Sequence, residues 1–169
     1  AISLIGKLRA LGDARAIILI SEEALVPYQR PPLSKKYMLG EMDLARLLIR
    51  PERWYADNDI TLRLGVRVEE IDRANRLVRL SNGEALGYDQ LALTTGSTPR
   101  RLPAVIDGDL AGIYSVRSVR DVDAMAKEFV DGRSVLVIGG GYIGLEAAAV
   151  AAKLGLQVTV LEMADRILQ

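Results

Sequence analysis

The 169 residues suffice for one sizeable core or two small ones, and with half of them hydrophobic and 26% charged they have the balance of a globular protein. Twenty-two basic residues cancel twenty-two acidic ones, so bulk charge gives no argument for a nucleic acid or an anionic membrane partner. With no cysteine and no histidine, the chain excludes disulfide frameworks, Cys/His metal sites, iron–sulfur clusters held by the chain itself and Ser-His-Asp or Cys-His nucleophiles. No metal is expected. An enzyme of this composition needs a bound organic cofactor for difficult chemistry. No apolar run approaches the roughly 20 residues of a membrane span, and the N-terminus lacks the basic start and cleavage site of a signal peptide. A cytoplasmic protein with no membrane partner is the expectation.

In chain order, residues 2–11 are helical in pattern, Gly12 stops them, and residues 16–20 form an apolar strand followed by Ser21-Glu22-Glu23. Residues 27–36 hold three of the six prolines and predict a rigid loop leading into a short helix. A loop at 44–48 and a helix over 51–58, opening at proline, come next. Residues 60–63 and 66–71 are short strands. Residues 76–80 and 85–88 are the arms of a hairpin around Ser81-Asn82-Gly83-Glu84. Residues 90–93 predict another apolar strand, ending in Thr94-Thr95-Gly96. A Pro/Gly/Asp-rich connector over 100–112 precedes a helix over 118–129 with a serine cap. The domain boundary is placed at residues 112–118.

The last segment carries the clearest signal. Ser134–Ile138 has the apolar run of a strand buried on both faces, and Gly139-Gly140-Gly141 stops it. Residues 143–154, rich in alanine, predict a helix that Gly155 ends, and Gln157–Leu161 is a second β-branched strand followed by Glu162. Gly139-Gly140-Gly141-Tyr142-Ile143-Gly144 thus reads G-x-G-x-x-G in a β-α-β context. Gly139 permits the tight turn, Gly141 lets backbone approach a pyrophosphate, and Gly144 lets helix and strand pack closely. The phosphates would sit at the helix N-terminus, among unpaired N–H groups. Glu162, eighteen residues after Gly144, is the carboxylate that accepts ribose hydroxyls and favours NAD over NADP.

The N-terminus repeats the unit. With Gly12 set against Gly155, Ala1 falls opposite Gly144, both eleven residues earlier. Alanine is acceptable at the third fingerprint position. The expectation is a second copy that enters at its helix, its first strand and first two glycines lying before Ala1.

Pro27-Tyr28-Gln29-Arg30-Pro31-Pro32-Leu33-Ser34-Lys35 pins two cations, Arg30 and Lys35, on stiff backbone, which suits an anionic or electron-rich ligand. Composition alone favours a stiff surface loop with solvated charges.

This segment, Leu93-Thr94-Thr95-Gly96 with Pro99-Arg100, and the stretch from Val137 through the fingerprint to Leu145-Glu146, in this order, resemble the ferredoxin reductase-type flavoproteins. Putidaredoxin reductase, rubredoxin reductase and the reductases of aromatic-ring dioxygenases form that group. The resemblance spans the whole chain. It implies two Rossmann-like, doubly wound, three-layer α/β domains of the glutathione-reductase type, both incomplete here. Residues 1–114 would belong to the FAD domain, without its first strand and glycine loop, and 115–169 to the first half of the NAD domain. The cofactors implied are FAD and NAD.

The resemblance places Lys35 by the flavin N5 edge, where it stabilises negative charge, with Glu146 as its ion-pair partner near the nicotinamide. Read without the family, Glu146 is a first-turn glutamate that favours the helix dipole. Glu22, with Glu23 as the alternative, matches the acid on the FAD ribose. Val68 matches a position whose backbone contacts adenine, Thr95 and Gly96 the loop beside the FAD pyrophosphate, and Arg117 a cation flanking the flavin. An exposed linker arginine explains Arg117 equally well. The implied function is passage of electrons from NADH through FAD to a one-electron iron–sulfur carrier, ferredoxin or rubredoxin. Relatives that reduce disulfides carry cysteines where this sequence has residues 32–38, so its lack of cysteine accords with one-electron output. The alternatives are a flavoprotein of the apoptosis-inducing-factor or monodehydroascorbate reductase type, and a truncated, non-catalytic dinucleotide-binding module. The chain is similar to roughly the first two-fifths of the family's length. Alone it would be an inactive fragment that holds FAD weakly or not at all, and it would associate as a homo-oligomer or with a complementing chain.

Overall fold

The computed structural model describes residues 1–107 and 110–168; residues 108 and 109 of the predicted connector, and residue 169, lie outside the described residues. In chain order the helices are α1 (Ile2–Ala10), α2 (Leu44–Leu47), α3 (Glu52–Asp57), α4 (Ala104–Asp107), α5 (Val119–Ala126) and α6 (Tyr142–Lys153), with a 3₁₀ turn at Pro31–Ser34. The strands are β1 (Ile17–Ser21), β2 (Ile60–Leu64), β3 (Val68–Asp72), β4 (Leu77–Leu80), β5 (Ala85–Gly87), β6 (Ser134–Ile138) and β7 (Gln157–Leu161). They divide into two compact units, Ala1–Tyr28 with Leu48–Gly96, and Gln29–Leu47 with Ser97–Gln169.

In the first unit β1 and β2 pair in parallel, Ile17 opposite Ile60 through Ser21 opposite Leu64. Ile2 and Ile5, one turn apart on α1, share a core with Leu19, Val26, Tyr55 and Ile60. Each such buried apolar side chain contributes about 1.5–3 kcal/mol. Pro51 caps α3, as proline at a helix start allows. β3, β4 and β5 form an antiparallel sheet with an irregularity between Val68 and Glu70, and the β4–β5 turn places Gly83 at φ +86°.

The strand expected at residues 90–93 does not form; residues 91–100 carry no regular structure. A strand needs a ladder partner, and among the described residues none lies alongside. Leu91 and Leu93 instead line a slot of about 1110 Å³ whose other lining includes Ile17 and Ile18 of β1, which among the described residues pairs with β2 alone.

In the second unit β6 and β7 pair in parallel, Ser134 opposite Gln157 through Ile138 opposite Leu161. α6 packs on them through Ala147, Ala148, Val150 and Ala151, whose small side chains permit a close approach. Full burial of β6 on both faces is not observed: Leu136 is 55% and Ile138 52% exposed. Side chains alternate along a strand, and the alternating exposure of Ser134–Ile138 matches cover on one face among the described residues. α5 opens with a capping box, Ser118 Oγ accepting the Asp121 N–H at 3.2 Å and Asp121 Oδ2 accepting the Ser118 N–H at 2.8 Å. It ends earlier than the expected residue 129, in tighter bonds such as Glu128 N–H to the Met125 carbonyl.

Residues 29–47 fold with this unit. The Tyr37 hydroxyl donates to Asp123 Oδ1 at 2.8 Å, the Lys153 ammonium pairs with Glu41 Oε1 at 2.8 Å, and the 3₁₀ turn packs against α5 and α6. Where a loop is expected at 44–48, the structure has the single turn α2. Asp43 Oδ1 accepts the Arg46 N–H at 2.9 Å and starts it. α4 adds one turn within the connector, with the Ile106 N–H bonded to the Pro103 carbonyl at 2.8 Å.

Candidate functional site

The turn after β6 is built from glycines with distinct reasons. Gly139 sits at φ +106°, where an L side chain is strained. A Cβ on Gly144 would collide with the Gly139 carbonyl oxygen and meet Val137 Cγ1 at 3.3 Å, so helix and strand approach only because that atom is missing. Gly141 is different. Its φ of −79° suits any residue, and a Cβ there would meet nothing within 4 Å. Neither backbone nor packing demands glycine at 141, which leaves bare main chain at the entry to α6.

Gly141 caps α6 without a side-chain bond, so the first-turn N–H groups, from Tyr142 onward, form a donor cluster at the positive end of the helix. Tyr142 and Ile143 are 75% and 56% exposed. Glu162, directly past β7, turns to this loop. Its Oε1 accepts the Ala164 N–H at 2.9 Å and its Oε2 accepts the Gly140 N–H at 2.6 Å. Those two bonds, Ala164 first, hold its carboxyl below the ordinary range. Residues 162–168 fold back over Gly140, with the Leu168 N–H bonded to the Gly140 carbonyl at 3.0 Å and the Ile167 side chain against the turn.

A second cluster lies in the same unit, around a cavity of about 260 Å³. Arg30, Lys35 and Arg117 supply cations, Glu146 an anion, and Ile143 and Val116 apolar wall. The 3₁₀ turn begins with Pro31-Pro32, which fixes the backbone between Arg30 and Lys35. Arg30 Nη1 donates to the Arg117 carbonyl at 2.6 Å. Ile143 and Glu146, three residues apart, share one face of α6. The Lys35 ammonium stands 3.0 Å from Glu146 Oε1, and the buried Ser34 hydroxyl donates to Glu146 Oε2 at 2.5 Å. Ser34 first and Lys35 second hold the Glu146 carboxyl below the ordinary range.

In the first unit Ala1, Val68 and Thr95 line the slot beside β1. Gly96, in the left-handed region at φ +71°, and Glu22 lie outside its lining. Glu22 follows β1 as Glu162 follows β7, and its carboxylate lies 3.5 Å from Arg67, both exposed. Glu23 accepts a hydrogen bond from the Tyr28 hydroxyl. Among the described residues no group of three or more His, Cys, Asp or Glu is placed to hold a metal, and no helix is long and apolar enough to cross a membrane.

Arg30, Lys35, Arg117, Ile143 and Glu146 are therefore brought to one cavity, and Gly139, Gly141, Gly144 and Glu162 to one turn. Ser34 carried no role in the sequence reading. The one signal for it was its place beside Lys35 at the end of the Pro-Pro turn.

Two parallel pairs of strands, each with a helix against it and one with a glycine turn closed by an acid, define an α/β chain of dinucleotide-binding architecture. The pyridine nucleotide-disulphide oxidoreductase family profile matches residues 2–169, and the chain belongs to that family. It is 46% identical to a ferredoxin–NAD(P)(+) reductase of a Sphingomonas species, over 95% of this chain and 39% of that protein. It is 38% identical to a rubredoxin–NAD(+) reductase of Pseudomonas putida, over 95% of this chain and 42% of the relative. The crystal structure of a covalent putidaredoxin reductase–putidaredoxin complex superposes with a TM-score of 0.94 at 37% identity, covering 99% of this chain and 41% of that one. The chain spans about two-fifths of the length of these relatives.

Proposed function

We propose that this chain is part of a flavoprotein reductase that takes electrons from NADH through FAD to a one-electron iron–sulfur acceptor of ferredoxin or rubredoxin type. The observation that carries the reading is the cavity where Lys35 and Glu146 meet between Arg30 and Arg117, at the start of the helix that the glycine turn opens. Apolar wall with cations at its edge suits a flat, electron-rich ring, and fixed charges in a partly enclosed site act more strongly than in water. FAD, when bound, accepts two electrons together and releases them one at a time.

The chain's own groups have the following parts. Lys35 sets positive charge at the ring edge, Glu146 holds Lys35 on the nicotinamide side, and Arg30 and Arg117 flank the ring. Gly139, Gly141 and Gly144, with the N–H groups of Tyr142 and Ile143, cradle the NAD diphosphate, and Glu162 takes the ribose hydroxyls. Bare backbone at Gly141 that no internal packing requires fits such a group. Glu22 takes the FAD ribose, the Glu23 carboxylate being engaged by Tyr28. Ala1, Val68, Thr95 and Gly96 complete the FAD side, with residues 1–114 as FAD domain and 115–169 as NAD domain. The relatives named for ferredoxin and rubredoxin, and the solved complex with putidaredoxin, support the acceptor class.

A visible spectrum tests the reading. The complete enzyme that contains this chain, reconstituted with FAD, is expected to show flavin absorbance that NADH bleaches under anaerobic conditions. A colourless protein that still binds NADH would replace the reductase with a non-catalytic binding module.

A further inference from the structure

We infer that Ser34 is a positioning residue whose buried hydroxyl anchors the Glu146 carboxylate to the 3₁₀ turn, so that Lys35 leaves the ion pair without Glu146 following it. The use made of Lys35 rests on the reductase reading; the anchoring rests on geometry alone.

The two oxygens of Glu146 have different partners. Oε2 takes the Ser34 hydroxyl at 2.5 Å and Oε1 the Lys35 ammonium at 3.0 Å. The two donors also differ in freedom. Ser34 is 4% exposed at the end of a turn that Pro31 and Pro32 pin, whereas the Lys35 side chain is 51% exposed on a flexible stem. An ion pair that open to water is weak and easily exchanged, while a hydroxyl bond to a carboxylate from fixed, buried backbone is short and directional. If Lys35 alone held Glu146, any anion drawing the ammonium into the cavity would leave the carboxylate unheld. With Ser34 in place the carboxylate stays ionised and oriented while Lys35 changes partner. The charged groups around Glu146 are Lys35 beside it and Arg30 and Arg117 along the same cavity. The Ser34 hydrogen bond is the largest single cause of its lowered pKa, and Lys35 adds both a hydrogen bond and a charge.

The test is a carbon-13 NMR titration of the Glu146 carboxyl in the 169-residue chain. Ser34→Ala is expected to raise the midpoint, and to raise it in the Lys35→Met background as well, while Ser34→Thr, which keeps the hydroxyl, returns it toward the original. An unmoved midpoint in Ser34→Ala, in either background, would overturn the inference. Should Ser34→Ala fail to fold, Lys35→Met still decides: with the ammonium gone, exchanging water for deuterium oxide is expected to shift the Glu146 carboxyl carbon through the Ser34 hydroxyl, and adding Ser34→Thr to preserve that shift. No isotope shift overturns the anchor. Flavin that NADH does not bleach would sink the reductase reading and leave this titration unchanged, so the two failures are separable.

Discussion

Glu162 Oε2 accepts the Gly140 N–H at 2.6 Å, so the acid that ends β7 is held on the turn that ends β6. In the proposed function a ribose would take over this carboxylate, already aimed at the glycine backbone. Glu162→Ala is expected to remove a charge-assisted bond of about 1.5–3 kcal/mol, lowering NADH affinity roughly 10- to 100-fold while NADPH loses little. The ratio of kcat/KM for the two nucleotides in the complete enzyme checks this; an unaltered ratio refutes the ribose role.

Gly141 and Gly144 separate ligand from fold. A Cβ at 144 meets the Gly139 carbonyl and Val137, so Gly144→Ala is expected to destabilise the second unit by about 1–3 kcal/mol, the usual range for overpacking. Gly141→Ala points into open space and is expected to cost only a capping preference, less than Gly144→Ala costs, while weakening NADH binding. Calorimetry with and without NADH reads both. Equal loss of stability in the two variants would remove the distinction.

Tyr55 is buried at 1% exposure, and its hydroxyl has no hydrogen-bond partner among the described residues. Burial also pushes its pKa up. An unmatched buried hydroxyl costs about 1–3 kcal/mol, so Tyr55→Phe is expected to leave stability unchanged or raise it by up to about 1 kcal/mol. Urea unfolding checks this, and a loss of more than about 1 kcal/mol would mean the hydroxyl is bonded.

Acid should act through a few carboxylates. The Arg15 side chain, then its backbone N–H, holds Asp13 down from the ordinary 3.8 to about 2. A depressed carboxyl favours the folded chain above its unfolded value, and that contribution fades as pH falls through the folded one. The Asp13 contribution is therefore complete above about pH 4 and lost toward pH 2, while those of Glu146 and Glu162 fade below their ordinary 4.5. Arg15→Gln is expected to raise the Asp13 midpoint in a carboxyl NMR titration; a midpoint that stays near 2 would contradict the assignment.

Signals contained in one stretch of chain were legible. Gln157–Leu161 matches β7 residue for residue, and Ser118 followed by Asp121 marks the start of α5. What was not legible depended on neighbours. Residues 90–93 have strand composition, but composition does not reveal whether a ladder partner is alongside. The exposure of Leu136 and Ile138 turns on which face α6 covers. The grouping of residues 29–47 with residues 97–169 comes from contacts such as Glu41 with Lys153, 112 positions apart, and the bond from Ser34 to Glu146 spans the same distance. No local pattern encodes either, so Lys35 and Glu146 were paired by family resemblance, whereas Ser34 needed coordinates.

The most direct measurement is an NADH titration of the nitrogen-15-labelled chain, followed at its backbone amides. Saturable shifts are expected, concentrated at residues 139–144 and 162 and weaker with NADPH. Shifts absent there, or equal for the two nucleotides, would contradict the proposed nucleotide site.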